Sequence, residues 1–281
     1  MKADPRFLNQ PRHFWANVRS ISEQTGYTSD GRIKVPSPQE IKTALATLGL
    51  TSAHIADERD RVTKLGQTLL DYFAYRAKIL EEEIEPLLMD VEEAKSLYRK
   101  MHSELRPKCP LPMNKQKGKK KAPAYFTGII NMIVEKFGGG LPCDYDPRRL
   151  TTVTIDNAPL RTLARRVDGA FPTAVNPIAV WEIKEYYYTT TFGSRVADAV
   201  YETLLDGMEL EELQEHENIQ VLHYLMVDSH FTWWECGRSY LCRIVDMLHM
   251  GYVDEVLFGR EVVSRLPAIV GEWVTIATQR S

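Results

Sequence analysis

Glu182 and Lys184 stand two positions apart in the apolar run 178–185, and Asp168-Gly169 precedes them by fourteen positions. The run is rich in strand-forming residues, and residues i and i+2 of a strand point to the same face. A buried strand rarely carries a charged pair unless the charges are neutralised or used. Two carboxylates and an amine at one strand edge can hold a divalent metal and a water nucleophile, which is the chemistry of phosphodiester hydrolysis.

Asp168-Gly169 followed by Glu182-Ile183-Lys184 in an apolar strand resembles the PD-(D/E)xK nuclease superfamily, and within it the type II restriction endonucleases. The resemblance covers roughly residues 123–260, and Val167 stands where the family usually has proline. It implies Mg²⁺, with Mn²⁺ as a substitute, held by Asp168, Glu182 and the main-chain carbonyl of Ile183. Lys184 would orient or help to deprotonate the attacking water. It further implies double-stranded DNA as substrate and a homodimer.

Two further residues are candidates for the same site. Glu135 lies near the end of a predicted helix, 126–137, and helix-borne glutamates reach the metal in several nucleases of the superfamily. An ordinary solvent-facing glutamate is the alternative. Arg195 begins the helix predicted after Lys184, where a cation does not favour the helix dipole, so we expect it to neutralise a DNA phosphate.

The chain contains decoys of the motif. Glu40-Ile41-Lys42 follows Asp30-Gly31, but Ser37-Pro38-Gln39-Glu40 is a capping box, so Glu40 and Lys42 would point about 200° apart on a helix. Glu93-Ala94-Lys95 also falls in a helical pattern. Asp156 is a rival to Asp168 as metal ligand, although Asp156-Asn157-Ala158-Pro159 is typical of an Asx-turn.

With a net charge of −3 the chain as a whole is not a polycation, but it contains one strongly basic segment. Seven basic residues and no acidic one occupy 106–121, and we predict DNA-phosphate contacts from Lys115, Lys117, Lys119, Lys120 and Lys121. A solubilising tether is the alternative interpretation.

Bulk properties narrow the function classes. The sequence has no apolar run of the ~18–20 residues that a membrane span needs and no signal-peptide core near its N-terminus. The four cysteines lack metal-site spacing. There is no GxGxxG or Walker-type loop, so we expect no nucleotide cofactor. The sequence therefore predicts a cytoplasmic protein without membrane contact.

The predicted organisation has three parts. Residues 1–105 form a helical region for dimerisation or DNA recognition, 106–122 a basic linker, and 123–281 the catalytic domain. The alternation of helical and strand-like segments predicts an α/β fold, with a mixed central sheet flanked by helices as in the restriction endonuclease core.

Three functions remain open at this point. The first is a Mg²⁺-dependent, site-specific endonuclease of the type II restriction kind. The second is a structure-specific or modification-dependent repair or defence nuclease of the same fold. The third is a non-catalytic DNA-binding protein in which Glu182 and Lys184 form a structural ion pair.

Overall fold

The computed structural model describes residues 1–8, 10–57, 59, 61–116, 119–189 and 193–280. The α-helices in these ranges are α1 (Arg12–Thr25), α2 (Pro38–Thr47), α3 (Lys64–Lys78), α4 (Val91–Leu105), α5 (Tyr125–Phe137), α6 (Ser194–Glu217), α7 (Arg238–His249) and α8 (Glu261–Arg280). The strands are β1 (Thr28–Ser29), β2 (Arg32–Ile33), β3 (Met113–Gln116), β4 (Lys119–Pro123), β5 (Asp144–Tyr145), β6 (Thr152–Ile155), β7 (Ala158–Thr162), β8 (Gly169–Phe171), β9 (Ala179–Glu185), β10 (Leu222–Asp228) and β11 (Glu255–Phe258). None of the described helices combines the length and apolar character that crossing a membrane requires.

One compact unit comprises residues 3–86 and 237–251 and is mainly helical. The predicted capping box is present at α2, where the Ser37 side chain accepts from the Glu40 amide and Glu40 accepts from the Ser37 amide. The first decoy of the motif is therefore helical. The predicted helical N-terminal region is confirmed, and α7 joins the same unit from later in the chain.

The other unit comprises residues 1–2, 87–236 and 252–281 and contains a five-stranded sheet in the order β11-β10-β9-β8-β5. Strands β9, β10 and β11 are parallel, whereas β8 is antiparallel to β9 and β5 is antiparallel to β8. Helix α6 makes the crossover from β9 to the parallel strand β10. The predicted α/β class with a mixed sheet flanked by helices is confirmed.

The sheet packs through large aromatic side chains. Trp181 of β9 is fully buried and stacks on Trp273 of α8 with ring centroids 5.3 Å apart. A Cβ atom on Gly169 would lie 2.1 Å from the Trp181 ring. Glycine is required after Asp168 because the indole covers this point of β8.

Residues 106–122, predicted as a basic linker, include a short antiparallel hairpin of β3 and β4. Composition predicts a loop or linker here, and within this segment the structure pairs two short strands. The backbone bonds that pair them depend little on side-chain type, so the lysines do not prevent the pairing.

Asp156 and Asn157 form the two-residue turn between β6 and β7, and both have positive φ, 48° and 63°. This is the backbone that a tight hairpin requires, and aspartate and asparagine tolerate it well. Asp156, the alternative to Asp168 as metal ligand, therefore has a structural role in this turn.

Candidate active site

The candidate site lies where β8 and β9 separate. Asp168 immediately precedes β8, and its amide donates to the Trp181 carbonyl at 3.1 Å. Its Oδ2 accepts from the Ile183 amide at 2.8 Å. Because Gly169 is paired with Trp181, the next step of the ladder places Asp168 beside Glu182. The structure thus brings Asp168, Glu182 and Lys184 to one edge of the sheet.

Glu182 is fully buried and contacts two cations. Its Oε2 lies 2.6 Å from Lys184 Nζ, and its Oε1 lies 3.0 Å from an Arg165 guanidinium nitrogen. Burial opposes ionisation of Glu182, but Lys184 and Arg165 outweigh it and hold the pKa of the carboxyl below its usual value. Glu182 is therefore an anion at neutral pH.

Lys184 is also buried, and burial alone would lower its pKa. The neighbouring carboxylates Glu182 and Asp168 reverse that effect and raise the pKa of Lys184. Its Nζ is a permanent cation near neutral pH. It can orient a water or offset phosphate charge, whereas proton abstraction is disfavoured.

Arg165 is the principal functional candidate that the motif did not reveal. Its Nη1 lies 2.5 Å from Oδ2 of Asp206, and its Nη2 lies 3.2 Å from Oε2 of Glu202. Asp206 is fully buried on α6. Asp206 does carry a sequence signal, because it follows Thr203 by three positions in the buried stripe of α6, which consists of Val196, Ala199, Thr203, Asp206, Leu210 and Leu213.

The cluster carries an excess of negative charge. Four carboxylates (Asp168, Glu182, Glu202 and Asp206) surround two cations, Lys184 and Arg165. Asp168 is open to solvent on one side and crowded by protein on the other; that crowding and the charge of Glu182 raise the pKa of Asp168 to about 6. Burial and Glu182 raise the pKa of Asp206 to about 7. A cation bound beside these carboxyls would favour their ionised forms and lower both pKa values.

Within the described ranges, no group of three or more His, Cys, Asp or Glu side chains converges on a position that a metal ion could occupy. Mg²⁺ does not need three, because it retains several waters and binds through one or two carboxylates. The N–H and C=O of a strand residue point to the same neighbour, so the Ile183 carbonyl faces the Asp168 side, where its N–H is bonded. Asp168, Glu182 and this carbonyl are thus the oxygen donors at this strand end, and both Glu182 oxygens already lie within 3.0 Å of a cationic nitrogen.

The other predicted site residues are placed differently. The Glu135 carboxylate accepts the Lys108 amide at 2.9 and 3.1 Å. Arg195 is the second residue of α6, but its side chain lies outside the described part of the structure. Lys117 lies outside the described residues, as do the side chains of Lys115, Lys119, Lys120 and Lys121.

A second pair of acids lies on the opposite face of β9. Glu185 accepts from the Thr127 amide and hydroxyl at 3.0 Å, at the first turn of α5. Asp228, its register partner on β10, accepts from the Met89 and Ser229 amides and from the Tyr187 hydroxyl. Burial raises the pKa of each acid to about 7. These contacts anchor helix and loop ends to the sheet.

A cleft of about 620 Å³ opens beside Asp168. Its walls are the segment 110–113, the α5 residues Thr127 and Asn131, and the stretch that contains Tyr145, Asp146 and Arg148. The Asp146 amide donates to the Asp168 carbonyl at 3.0 Å, so this stretch is fixed to the metal-ligand candidate.

Comparison with known proteins gives two family matches. Residues 89–273, about two thirds of the chain, match the model described as Domain of unknown function (DUF7687). Residues 1–83 match the model described as Domain of unknown function (DUF7690). Neither a curated protein nor a solved structure matches the chain.

Proposed function

The chain belongs to the DUF7687 family, and we propose that it is a Mg²⁺-dependent endonuclease that hydrolyses phosphodiester bonds of double-stranded DNA. The proposal rests on the side chains that meet where β8 and β9 separate. There a solvent-open Asp168, a buried ionised Glu182 and a cationic Lys184 meet in a cluster whose carboxylates outnumber its cations. A structural ion pair alone would need no surplus acid, and the surplus disfavours the non-catalytic alternative.

The order of elements supports the resemblance to the restriction endonuclease core. Helix α5 is followed by the sheet strands β5, β8 and β9, then by α6 and the parallel strand β10, with the β6–β7 hairpin inserted after β5. The sequence also predicts a helix, three strands, a helix and a strand, but its first predicted strand, 151–155, forms β6 of the separate hairpin and not a strand of the central sheet.

Each residue of the site has a distinct role in the proposal. Asp168, Glu182 and the Ile183 carbonyl would hold Mg²⁺, which would supply stabilisation of the negative charge that develops on the phosphate. Lys184 Nζ, held by Glu182, orients the attacking water by donating to it. Arg165, fixed by Asp206 and Glu202, keeps the Glu182 carboxylate in place.

Partners follow from the same proposal. Two-strand cleavage at a palindromic site maps onto a two-fold axis, so a homodimer is expected. Arg195 and the lysines of 115–121 are proposed to neutralise DNA phosphates, with affinity that falls steeply as salt rises.

Cleavage of supercoiled plasmid in Mg²⁺ tests the proposal. Lys184→Ala is expected to cut about 100-fold more slowly than the native protein or worse, because the water loses its orienting group. Lys95→Ala is the matched control: it removes the lysine of a second E-x-K triplet, which lies on α4 in an exposed pair with Glu92. If Lys184→Ala, shown to be folded by circular dichroism, cuts as fast as Lys95→Ala, the site assignment is wrong.

A further inference from the structure

The cleft beside Asp168 is larger than a hydrated metal site requires. Its volume of about 620 Å³ lies within the range of ~300–1,000 Å³ that small-molecule pockets occupy. Because Asp168 lines it, anything bound there sits next to the proposed metal position.

The walls combine apolar side chains with hydrogen-bonding groups. Pro110, Leu111, Pro112 and Met113 form one wall, and Met113 remains 40% exposed although it is apolar. Such a wall can stack on a planar base, since base stacking on apolar groups depends little on sequence.

The polar groups are few and fixed. Asn131 is buried, and its amide nitrogen donates to the Pro110 carbonyl at 2.9 Å. Asn131 also lines the cleft, and the oxygen of a side-chain amide is a hydrogen-bond acceptor.

The rim supplies charge of both signs. Arg148 and Asp146 are exposed and paired at 3.0 Å. The guanidinium can turn to a phosphate, and the carboxylate can accept from an exocyclic amine. Apolar walls, a buried side-chain amide and one exposed guanidinium at the rim together match a nucleotide whose base has left the stack.

We propose that this cleft receives one unpaired nucleotide of the DNA, adjacent to the bond that is cut. The inference rests on the proposed function and deepens it, since it makes an unpaired or extruded base the feature that the site recognises. A base inside a duplex is stacked and paired, so it must be extruded before it can enter a pocket. DNA with a base already unpaired avoids this cost and is expected to bind more tightly.

The test measures binding by fluorescence anisotropy in the slow-cutting Lys184→Ala background. Two duplexes of the same sequence are compared, one fully paired and one with a single extra unpaired nucleotide. We expect at least about 10-fold tighter binding of the second duplex, because extrusion costs a few kcal/mol.

Added Met113→Trp fills the cleft and is expected to reduce the preference to less than about twofold. Added Arg148→Ala, at an exposed position, removes the phosphate contact and is expected to reduce it as well. Added Met208→Trp is the matched control, because Met208 is 50% exposed on α6 and does not line the cleft. It should leave the preference unchanged.

The outcomes separate the two proposals. Equal binding of the two duplexes, or a preference that survives both Met113→Trp and Arg148→Ala, overturns the inference even if the native protein cuts plasmid in Mg²⁺. Absence of plasmid cleavage by the native protein overturns the nuclease, whereas a preference lost on filling the cleft would still establish the nucleotide site.

Discussion

Arg165 Nη1 lies 3.0 Å from Oε1 of Glu182, so the buried carboxylate proposed as a metal ligand is already paired with a cation other than Lys184. The same guanidinium contacts Asp206 on α6. Arg165 therefore joins β9 to α6 through charge. Arg165 is therefore a positioning residue, and we expect its removal to destabilise the fold.

Arg165→Ala is expected to destabilise the fold by about 3 kcal/mol, because it leaves Glu182 and Asp206 buried with less compensation. Urea unfolding followed by circular dichroism measures the change. Arg161→Ala is the control, since Arg161 pairs with a half-exposed Glu212 at 2.7 Å and should cost less than about 1 kcal/mol. Equal losses of unfolding free energy in the two variants would show that Arg165 contributes no more to stability than Arg161 does.

Gly169→Ala should destabilise the protein by about 1–3 kcal/mol, because the new Cβ overlaps the Trp181 ring 2.1 Å away. It should also lower the cleavage rate, since Asp168 is the preceding residue. Gly271→Ala is the opposite control: this α8 glycine has nothing within 4 Å of the added Cβ. Alanine there should stabilise by about 0.5–1 kcal/mol. A tolerated Gly169→Ala in thermal unfolding would contradict the packing described for β8.

The stability of the protein should fall as pH rises from about 4 to about 8. Burial raises the pKa of Asp228 from 3.8 to about 7, so the folded state holds this proton more tightly than the unfolded state does. The stabilisation is complete below the unfolded pKa and is lost as pH rises through about 7.

Asp228→Asn keeps the hydrogen bonds to the Met89 and Ser229 amides but cannot ionise. In urea titrations across this range, it should flatten the slope by up to about 1.4 kcal/mol per pH unit. A slope that Asp228→Asn does not alter would show that this carboxyl is ionised at low pH in the folded state.

Glu135→Gln should change plasmid cleavage in Mg²⁺ by less than about threefold, whereas Glu182→Gln should reduce it by about 100-fold or more. The reason is that Glu135 holds the Lys108 amide, and an amide oxygen can accept that bond equally well. A loss as large as that of Glu182→Gln would place Glu135 back among the catalytic residues.

The sequence predicted the parts of the site that local spacing controls. A two-residue alternation in an apolar run placed Glu182 and Lys184 on one face, and the capping box identified Glu40 as helical. Arg165 was missed because the loop before Asp168 has no periodic pattern, and its carboxylate partners come from α6, which lies later in the chain. Contacts between distant segments depend on packing that spacing does not encode.

The basic segment is a second region where the sequence did not predict the local structure. Lysine, proline and glycine favour a loop by composition, yet β3 and β4 pair through their backbones. Asp156 illustrates the reverse case, since its Asp-Asn turn chemistry is local and the structure places it in a two-residue hairpin turn.

Isothermal titration calorimetry with Mg²⁺ and Mn²⁺ is the most direct test of the metal site. The native protein should bind a divalent cation, and Asp168→Asn should abolish that binding because Asp168 is the solvent-open residue of the proposed ligand set. Asp156→Asn, a carboxylate lost from a hairpin turn, should bind as the native protein does. No uptake by the native protein, or equal uptake by Asp168→Asn and Asp156→Asn, would contradict a metal centre built on Asp168 and Glu182.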